Sequence, residues 1–275
     1  MHLWQAILLG AIQGLTEFIP VSSTAHLFLA QKWLGLGNES ASLSFDIVLH
    51  LGTALALIVV YARELLGMLE EAIRWAARRP PRKAQDRALI LPLIVGTIPG
   101  VFAGLFLLKR FEAHRTLAVI GGSMLVACVY FFFSEWVGDR REGRGAGRET
   151  VTAADSLWIG LAQGAAGLMA GFSRSGFTIA TGRTAGLTRE RSARFSFLLA
   201  LPIILGAGAK TILDLHRHPE PRLPLPLLAA GFASAAVFGF LSVRFLLAFL
   251  KTHSLRPFGV YLGVLGAVLL ASAML

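Results

Sequence analysis

Long apolar runs broken by short polar segments set the pattern of this chain. Six of them carry few charges: Phe45–Tyr61, Leu89–Leu108, Leu117–Val137, Phe195–Leu213, Leu225–Leu250 and Pro257–Leu275. A helix needs about 20 largely apolar residues to cross the hydrocarbon of a bilayer, so each run predicts a transmembrane helix. Two shorter runs, Leu3–Ile19 and Leu157–Phe172, contain glycines and lead directly into clusters of Ser, Thr, Arg or His. An apolar stretch of that length followed by polar backbone predicts a hairpin that enters the membrane and returns. Such backbone is tolerated at depth only where protein or a wet cavity surrounds it. Pro20 and the glycines near Ser173 would break the helix at each tip.

Composition agrees with this pattern. The chain is 55% hydrophobic and 15% charged, whereas a soluble domain is about a quarter charged. Spans and short loops use nearly all 275 residues, which predicts a single membrane domain, 1–275, that must itself contain any active machinery. Met1-His2-Leu3-Trp4 lacks the basic segment of a secretory signal, so no cleavage is expected. The one cysteine, Cys128, lies inside a span. It can support neither a disulfide framework nor a cysteine metal cluster, and it reads as a packing residue.

The net charge of +10 raises the question of nucleic acid, and the distribution answers it. Arg74, Arg78, Arg79, Arg82, Lys83 and Arg87 fall in one inter-helix loop, 66–88; Arg140, Arg141, Arg144 and Arg148 fall in another. Basic loops beside apolar spans are the positive-inside signal, with anionic lipid headgroups as partners; no nucleic-acid motif accompanies the charge. If the six spans alternate and 66–88 is cytoplasmic, the cytoplasmic loops hold sixteen Lys and Arg and the outer segments 1–44, 109–116 and 214–224 hold six. That bias places both termini outside.

The halves resemble each other. "GAIQGLTEFIPVSS" at 10–23 and "GLAQGAAGLMAGFS" at 160–173 share Gly, Gln-Gly and a terminal Ser at an offset of 150, and the same offset pairs Phe45, Leu49 and Leu51 with Phe195, Leu199 and Leu201. Each half, about 1–137 and about 155–275, then holds one hairpin and three spans. An odd number of crossings inverts the second half relative to the first, as in many transporter folds. The expected fold is therefore all-α and polytopic: six transmembrane helices plus two re-entrant helical hairpins in an inverted repeat, their tips meeting near the midplane.

The polar residues concentrate at those tips. "QGLTEFIPVSSTAH" at 13–26 places a carboxylate, four hydroxyls and an imidazole around a proline. Glu17 at a helix end and Ser22-Ser23-Thr24 as a simple N-cap cluster is the plain structural account, but ionisable groups inside a membrane are costly and mark functional sites. The second tip, "GFSRSGFT" at 171–178, sets a guanidinium among hydroxyls and glycine backbone, a combination suited to phosphate oxygens. One tip offers acid–base chemistry and a nucleophile and the other an anion clamp, which points to phosphoryl transfer.

At these residues the chain resembles the undecaprenyl-pyrophosphate phosphatase family, also known as the bacitracin-resistance proteins. The resemblance runs nearly end to end. Gln13-x-x-x-Glu17, Pro20-Val21-Ser22-Ser23-Thr24-x-His26, Gly171-x-Ser173-Arg174-Ser175-Gly176-x-Thr178 and "ARFSFLLALP" at 193–202 carry it. It implies hydrolysis of a C55 isoprenyl diphosphate to the monophosphate carrier lipid for peptidoglycan synthesis. The site would lie near the outer, periplasmic face of the bacterial cytoplasmic membrane. The roles it suggests are Ser23 as nucleophile, His26 as general base or acid, and Glu17 as the group that orients His26, activates the nucleophile or binds a metal. Arg174 would clamp the diphosphate, and Gln13, Ser22, Thr24, Ser173, Ser175, Gly176 and Thr178 would complete the binding shell. It also implies a weakly bound Mg²⁺ or Ca²⁺ held by Glu17 and the substrate phosphates, since one carboxylate is typical of such sites. Two departures stand out: Ala170 replaces the family's proline, and the stretch between Gln163 and Ser173 is one residue longer.

Other membrane-embedded polar groups read as secondary. His50 and Asp46, one turn apart, make either a structural pair or an outer layer of the site. Glu64, Glu135, Lys210 and Asp214 near span ends are expected to snorkel to the interface. Gly259–Gly266 reads as a helix-packing surface or a homodimer contact. The alternative function is a flippase using the same site. A lipid-phosphate phosphatase of the acid-phosphatase-like superfamily would need Ser-Gly-His and Arg…His blocks, which this chain lacks.

Overall fold

The computed structural model describes residues 1–36, 40–107, 116–217 and 223–274. Eleven α-helices make up most of this: α1 (Leu3–Phe18), α2 (Ser23–Trp33), α3 (Ser40–Val60), α4 (Ala62–Ala76), α5 (Ala84–Phe102), α6 (Leu117–Glu142), α7 (Ala153–Leu168), α8 (Arg174–Thr184), α9 (Arg189–Arg217), α10 (Leu225–Phe249) and α11 (Arg256–Met274). A π turn, Ala103–Leu107, prolongs α5. Among the described residues there is no strand, only a bridge between Arg148 and Leu187.

Five helical stretches are long and apolar enough to cross a membrane: Ala84–Leu107, Leu117–Glu142, Arg189–Asp214, Leu225–Phe249 and Arg256–Met274. They coincide with five of the six expected spans, three of which were expected to run one residue further. The sixth, Phe45–Tyr61, reaches that length only together with α4, from which it is bent by 79°. Most of the expected loop 66–88 is therefore helix, its first part in α4 and its last in α5. The predicted ends Leu108 and Leu275, and the outer charges Lys109, Arg110, Arg115 and Arg222, lie outside the described residues.

Two helix–turn–helix pairs have matching dimensions. Helices α1 and α7 are each 16 residues, 150 positions apart; α2 and α8 are each 11 residues, 151 apart. The additional residue of the second half lies in the turn, 169–173 against 19–22, and leaves both helices intact. The equivalence drawn from sequence therefore shifts by one at the tip. Ser173 matches Ser22, each the residue before its helix, and Arg174 matches Ser23, each the first residue of it.

Glycine stripes explain the packing. Helix α1 lies on α10: a Cβ on Gly14 would come within 2.7 Å of both Ala235 O and Gly239 N. Across the chain α7 lies on α5 in the same manner, with Gly160 against Gly96 and Gly164 against Pro99 and Ala103. Equivalent glycines thus pack the first helix of each half against a long helix of the other. Lipid gives no hydrophobic drive for helices to associate, so close approach and polar contacts must supply it. Ser234 donates to Ile7 O at 2.8 Å and Ser242 to Leu15 O at 2.9 Å. The Gly259–Gly266 stripe is used within the chain: Gly259 faces Phe132, Gly263 faces Cys128, and Gly266 meets Gly121 reciprocally on α6.

A buried ion network fixes α8 from behind. Arg183 is fully buried and pairs with Glu142, with Asp139 at 3.4 Å and with Glu135 at 3.8 Å. Glu135 also accepts from Arg189 at 2.8 Å and from the Leu255 N–H at 2.8 Å. Glu135 does not snorkel as expected, because three elements supply donors to it in the interior. Glu64 likewise pairs with Arg194, at 3.3 Å.

Candidate active site

Helix α1 carries Gln13 and Glu17 one turn apart, both buried, and ends at Phe18, after which Ile19 is extended and precedes Pro20. The next turn holds Ser22 in the left-handed region, with φ of 72°, an uncommon conformation for a residue with a side chain. That turn starts α2 at Ser23. In the second pair Gly171 takes φ of 98°, and Ser173 caps α8 by accepting from the Gly176 N–H at 3.1 Å. Both tips therefore bring a helix N-terminus, with its unsatisfied N–H groups, to the same place.

Glu17 is the centre of the arrangement. One carboxylate oxygen, Oε1, accepts from the Arg174 guanidinium, which arrives from the other half of the chain. The other, Oε2, accepts from Ser23 Oγ at 2.6 Å and from Gln13 Nε2 at 2.9 Å, with His50 Nε2 at 3.6 Å. Ser175 Oγ donates to the Glu17 carbonyl at 3.1 Å, tying the tips together. A carboxylate this deeply enclosed is stable only with its hydrogen bonds satisfied, and both Glu17 oxygens have donors.

The remaining expected site residues divide. His26 does not meet Glu17. Its Nδ1 lies 2.8 Å from Ser22 O and its Nε2 2.7 Å from the Tyr261 phenol, so Glu17 does not orient it. Thr178 is buried and bonds to Arg174 O, Ser175 O and Ser196 Oγ, which fastens the first turn of α8 to α9. The Gly176 N–H is already engaged by the Ser173 cap; glycine is needed there because Phe131 and Pro20 press on the Cα. Thr24 is exposed. Ser22 Oγ and Gln13 Oε1 are buried without a partner and remain free to serve a ligand.

Two further residues join, Tyr261 and His50. Tyr261 comes from α11, where no polar neighbour in sequence signals it. His50 was legible with Asp46 as a structural pair or an outer layer of the site, but not as a neighbour of Glu17. Its Nδ1 does face Asp46 O at 2.7 Å, yet its other nitrogen faces Glu17.

Comparison with known proteins identifies the family. The model for the bacitracin resistance protein BacA matches residues 6–268. The chain belongs to the BacA family. Among curated BacA relatives, the undecaprenyl-diphosphatase of Rubrobacter xylanophilus is 40% identical over the full length of both chains. The undecaprenyl-diphosphatase of Gemmatimonas aurantiaca is 42% identical, covering 99% of this chain and 98% of its own. That of Geobacter sulfurreducens is 39% identical with 98% of each chain covered. The BacA match spans both hairpins and every residue around Glu17.

A resident metal does not fit. Among the described residues no group of three or more His, Cys, Asp or Glu is placed to hold one, and donors already engage both Glu17 oxygens.

Proposed function

We propose that the chain hydrolyses undecaprenyl diphosphate to undecaprenyl phosphate and inorganic phosphate, returning carrier lipid to peptidoglycan synthesis. This is the activity named for its relatives, and its loss would expose cells to bacitracin. The observation that carries the proposal is the contact of Arg174 with Glu17 while Glu17 holds the Ser23 hydroxyl.

The resting pair implies an order of events. An incoming diphosphate offers Arg174 two anionic oxygens in bidentate geometry, a stronger partner than one carboxylate oxygen. As Arg174 turns to the phosphates, Glu17 loses its cation and becomes a better base toward Ser23. Ser23 Oγ attacks the terminal phosphorus and its proton passes to Glu17. The bond to the bridging oxygen breaks and the lipid monophosphate leaves, with Arg174 and the helix N-termini stabilising the charge. Water then attacks phosphoserine; His26 takes its proton, and Ser23 regains its own from Glu17 as inorganic phosphate departs. No step in this scheme runs through a metal. Any Mg²⁺ or Ca²⁺ would arrive with the diphosphate, and chelation followed by Mg²⁺ addition tests for it.

In this proposal six crossings traverse the bacterial cytoplasmic membrane, the bent α3–α4 pair among them. The pairs α1–α2 and α7–α8 enter from opposite faces as re-entrant hairpins of an inverted repeat. Their equal lengths and exchanged glycine contacts support this. The charge bias supports outer termini and a site open to the periplasm. The deciding experiment is phosphate release from C55 diphosphate by purified protein, compared with Arg174→Ala. Release by wild type and its loss in the variant support the enzyme. In proteoliposomes, lipid movement without phosphate release would replace it with the flippase.

A further inference from the structure

Helix α4 and the turn after it form a feature that phosphate hydrolysis does not use. The helix buries Gly67, Met68 and Glu71 and exposes Leu66, Leu69, Ile73 and Trp75. Leu66, Leu69 and Ile73 make one stripe at helical spacing, while Arg63, Glu70 and Arg74 occupy the flanks. Unlike the spans, it is amphipathic, and it is bent by 79° from α3. A helix of this kind lies in the membrane interface with its apolar face in the acyl region.

At its C-terminal end is a cavity of about 710 Å³ lined by Trp75, Ala76, Arg78, Arg79, two prolines (Pro80 and Pro81) and Arg87. Three guanidinium groups line it and no carboxylate does. Its wall is held in place by other groups. Buried Glu71 accepts from the backbone N–H groups of Arg82 and Lys83, each at 2.8 Å. Arg74 donates to Pro80 O at 2.8 Å, and Arg87 donates to Arg79 O at 3.1 Å while its guanidinium lies 6.0 Å from the Trp75 ring. Arg78 sits in the left-handed region with φ of 53°. The side chains of Arg78 and Arg79 are exposed and make no hydrogen bond or ion pair. Two free guanidinium groups are thus presented on a braced turn, next to an apolar stripe.

We infer that this cavity binds the headgroup of an anionic glycerophospholipid, with the acyl chains lying along Leu66, Leu69 and Ile73. A basic pocket takes a phosphate-bearing headgroup; the stripe beside it selects a lipid over a free ion. The occupant thereby anchors α4, and through it the end of α3, whose His50 faces Glu17.

The test offers the full-length protein equal amounts of phosphatidylglycerol and phosphatidylcholine in mild detergent and counts retained lipids by native mass spectrometry. Preferential retention of phosphatidylglycerol is expected. The double variant Arg78→Asn with Arg79→Gln, whose Asn tolerates the left-handed backbone, should lower that preference about 25-fold, at about fivefold per arginine. Arg144→Gln, an exposed arginine outside the cavity, should leave it unchanged. Phosphatase activity in phosphatidylcholine should match wild type in both variants, which shows that they fold. The inference is overturned by equal retention of the two lipids, or by a preference that the double variant keeps. Displacement of phosphatidylglycerol by excess inorganic phosphate would overturn it too, by assigning the cavity to the free ion.

Discussion

The ring of His26 stacks on that of Tyr261, with 15° between their planes and 2.7 Å from Nε2 to the phenol oxygen. A carbonyl can only accept, so Nδ1 carries its proton toward Ser22 O, and in the neutral ring Nε2 accepts from Tyr261. The phenol thereby holds the nitrogen that must later take a proton from water. Tyr261→Phe keeps the stacking and removes the hydroxyl. We expect turnover to fall about tenfold, less than loss of a general base itself. KM should stay near its wild-type value and the pH profile of kcat should move. An unchanged profile would reduce Tyr261 to packing.

Glu17 and Arg174 should be far less tolerant. Glu17→Gln retains hydrogen bonding to Ser23 but removes the charge, and Arg174→Ala removes the clamp. Each should lower phosphate release by about a hundredfold or more, the scale for losing a preorganised charge stabiliser. Arg174→Lys should not rescue, because an ammonium lacks the planar fork that grips two oxygens. Near-normal turnover in any of the three, measured with C55 diphosphate, would defeat the mechanism.

The features that were legible in sequence are those the bilayer imposes. Apolar runs gave the long helices, and the cost of burying Glu17 and Arg174 in grease marked them as site candidates, which the structure brings into contact. The 150-residue offset placed Gly10 and Gly14 opposite Gly160 and Gly164, whose equivalent packing the structure contains. Helix α4 was hidden because its arginines read as a loop, although Leu66, Leu69 and Ile73 repeat at helical spacing. The partnerships of His50, Tyr261 and Arg183 were not legible, because each depends on a helix distant in sequence arriving alongside. The contact between the Thr178 and Ser196 hydroxyls was hidden for a similar reason, since Ser196 lies on the next helix.

The crossing of α1 over α10 leaves no room for a methyl group. Gly14→Ala would set a Cβ against backbone atoms that cannot move independently, so it should cost about 1–3 kcal/mol, the range for overpacking. Gly122, inside α6, has nothing within 4 Å of its would-be Cβ. Gly122→Ala should be neutral or stabilise by up to about 1 kcal/mol, since alanine is the better helix former. Thermal unfolding of the two variants in the same detergent separates a packing constraint from a general intolerance to alanine.

Asp155 provides a pH test on the polar edge of the fold. Burial raises its pKa, but that effect is outweighed by hydrogen bonds from Arg148, two at 2.9 Å, by those from the Thr152 N–H and hydroxyl, and by the Arg148 charge. The net result is a carboxyl held below its ordinary range. A group whose pKa is depressed by folding binds its proton less readily folded than unfolded. Its stabilisation is therefore fully present above the unfolded pKa, about 3.9 for aspartate, and is lost as pH falls through the folded value. Asp155 forms a capping box with Thr152 at the start of α7, and Arg148 also donates to Ala185 O beyond the end of α8. The ion pair thus ties together both helices of the second hairpin. Asp155→Asn should melt at a lower temperature than wild type at neutral pH, and the gap should narrow steadily below about pH 4. A gap that is constant from neutral to acid would mean that the carboxylate charge contributes nothing, leaving the cap alone to hold the hairpin.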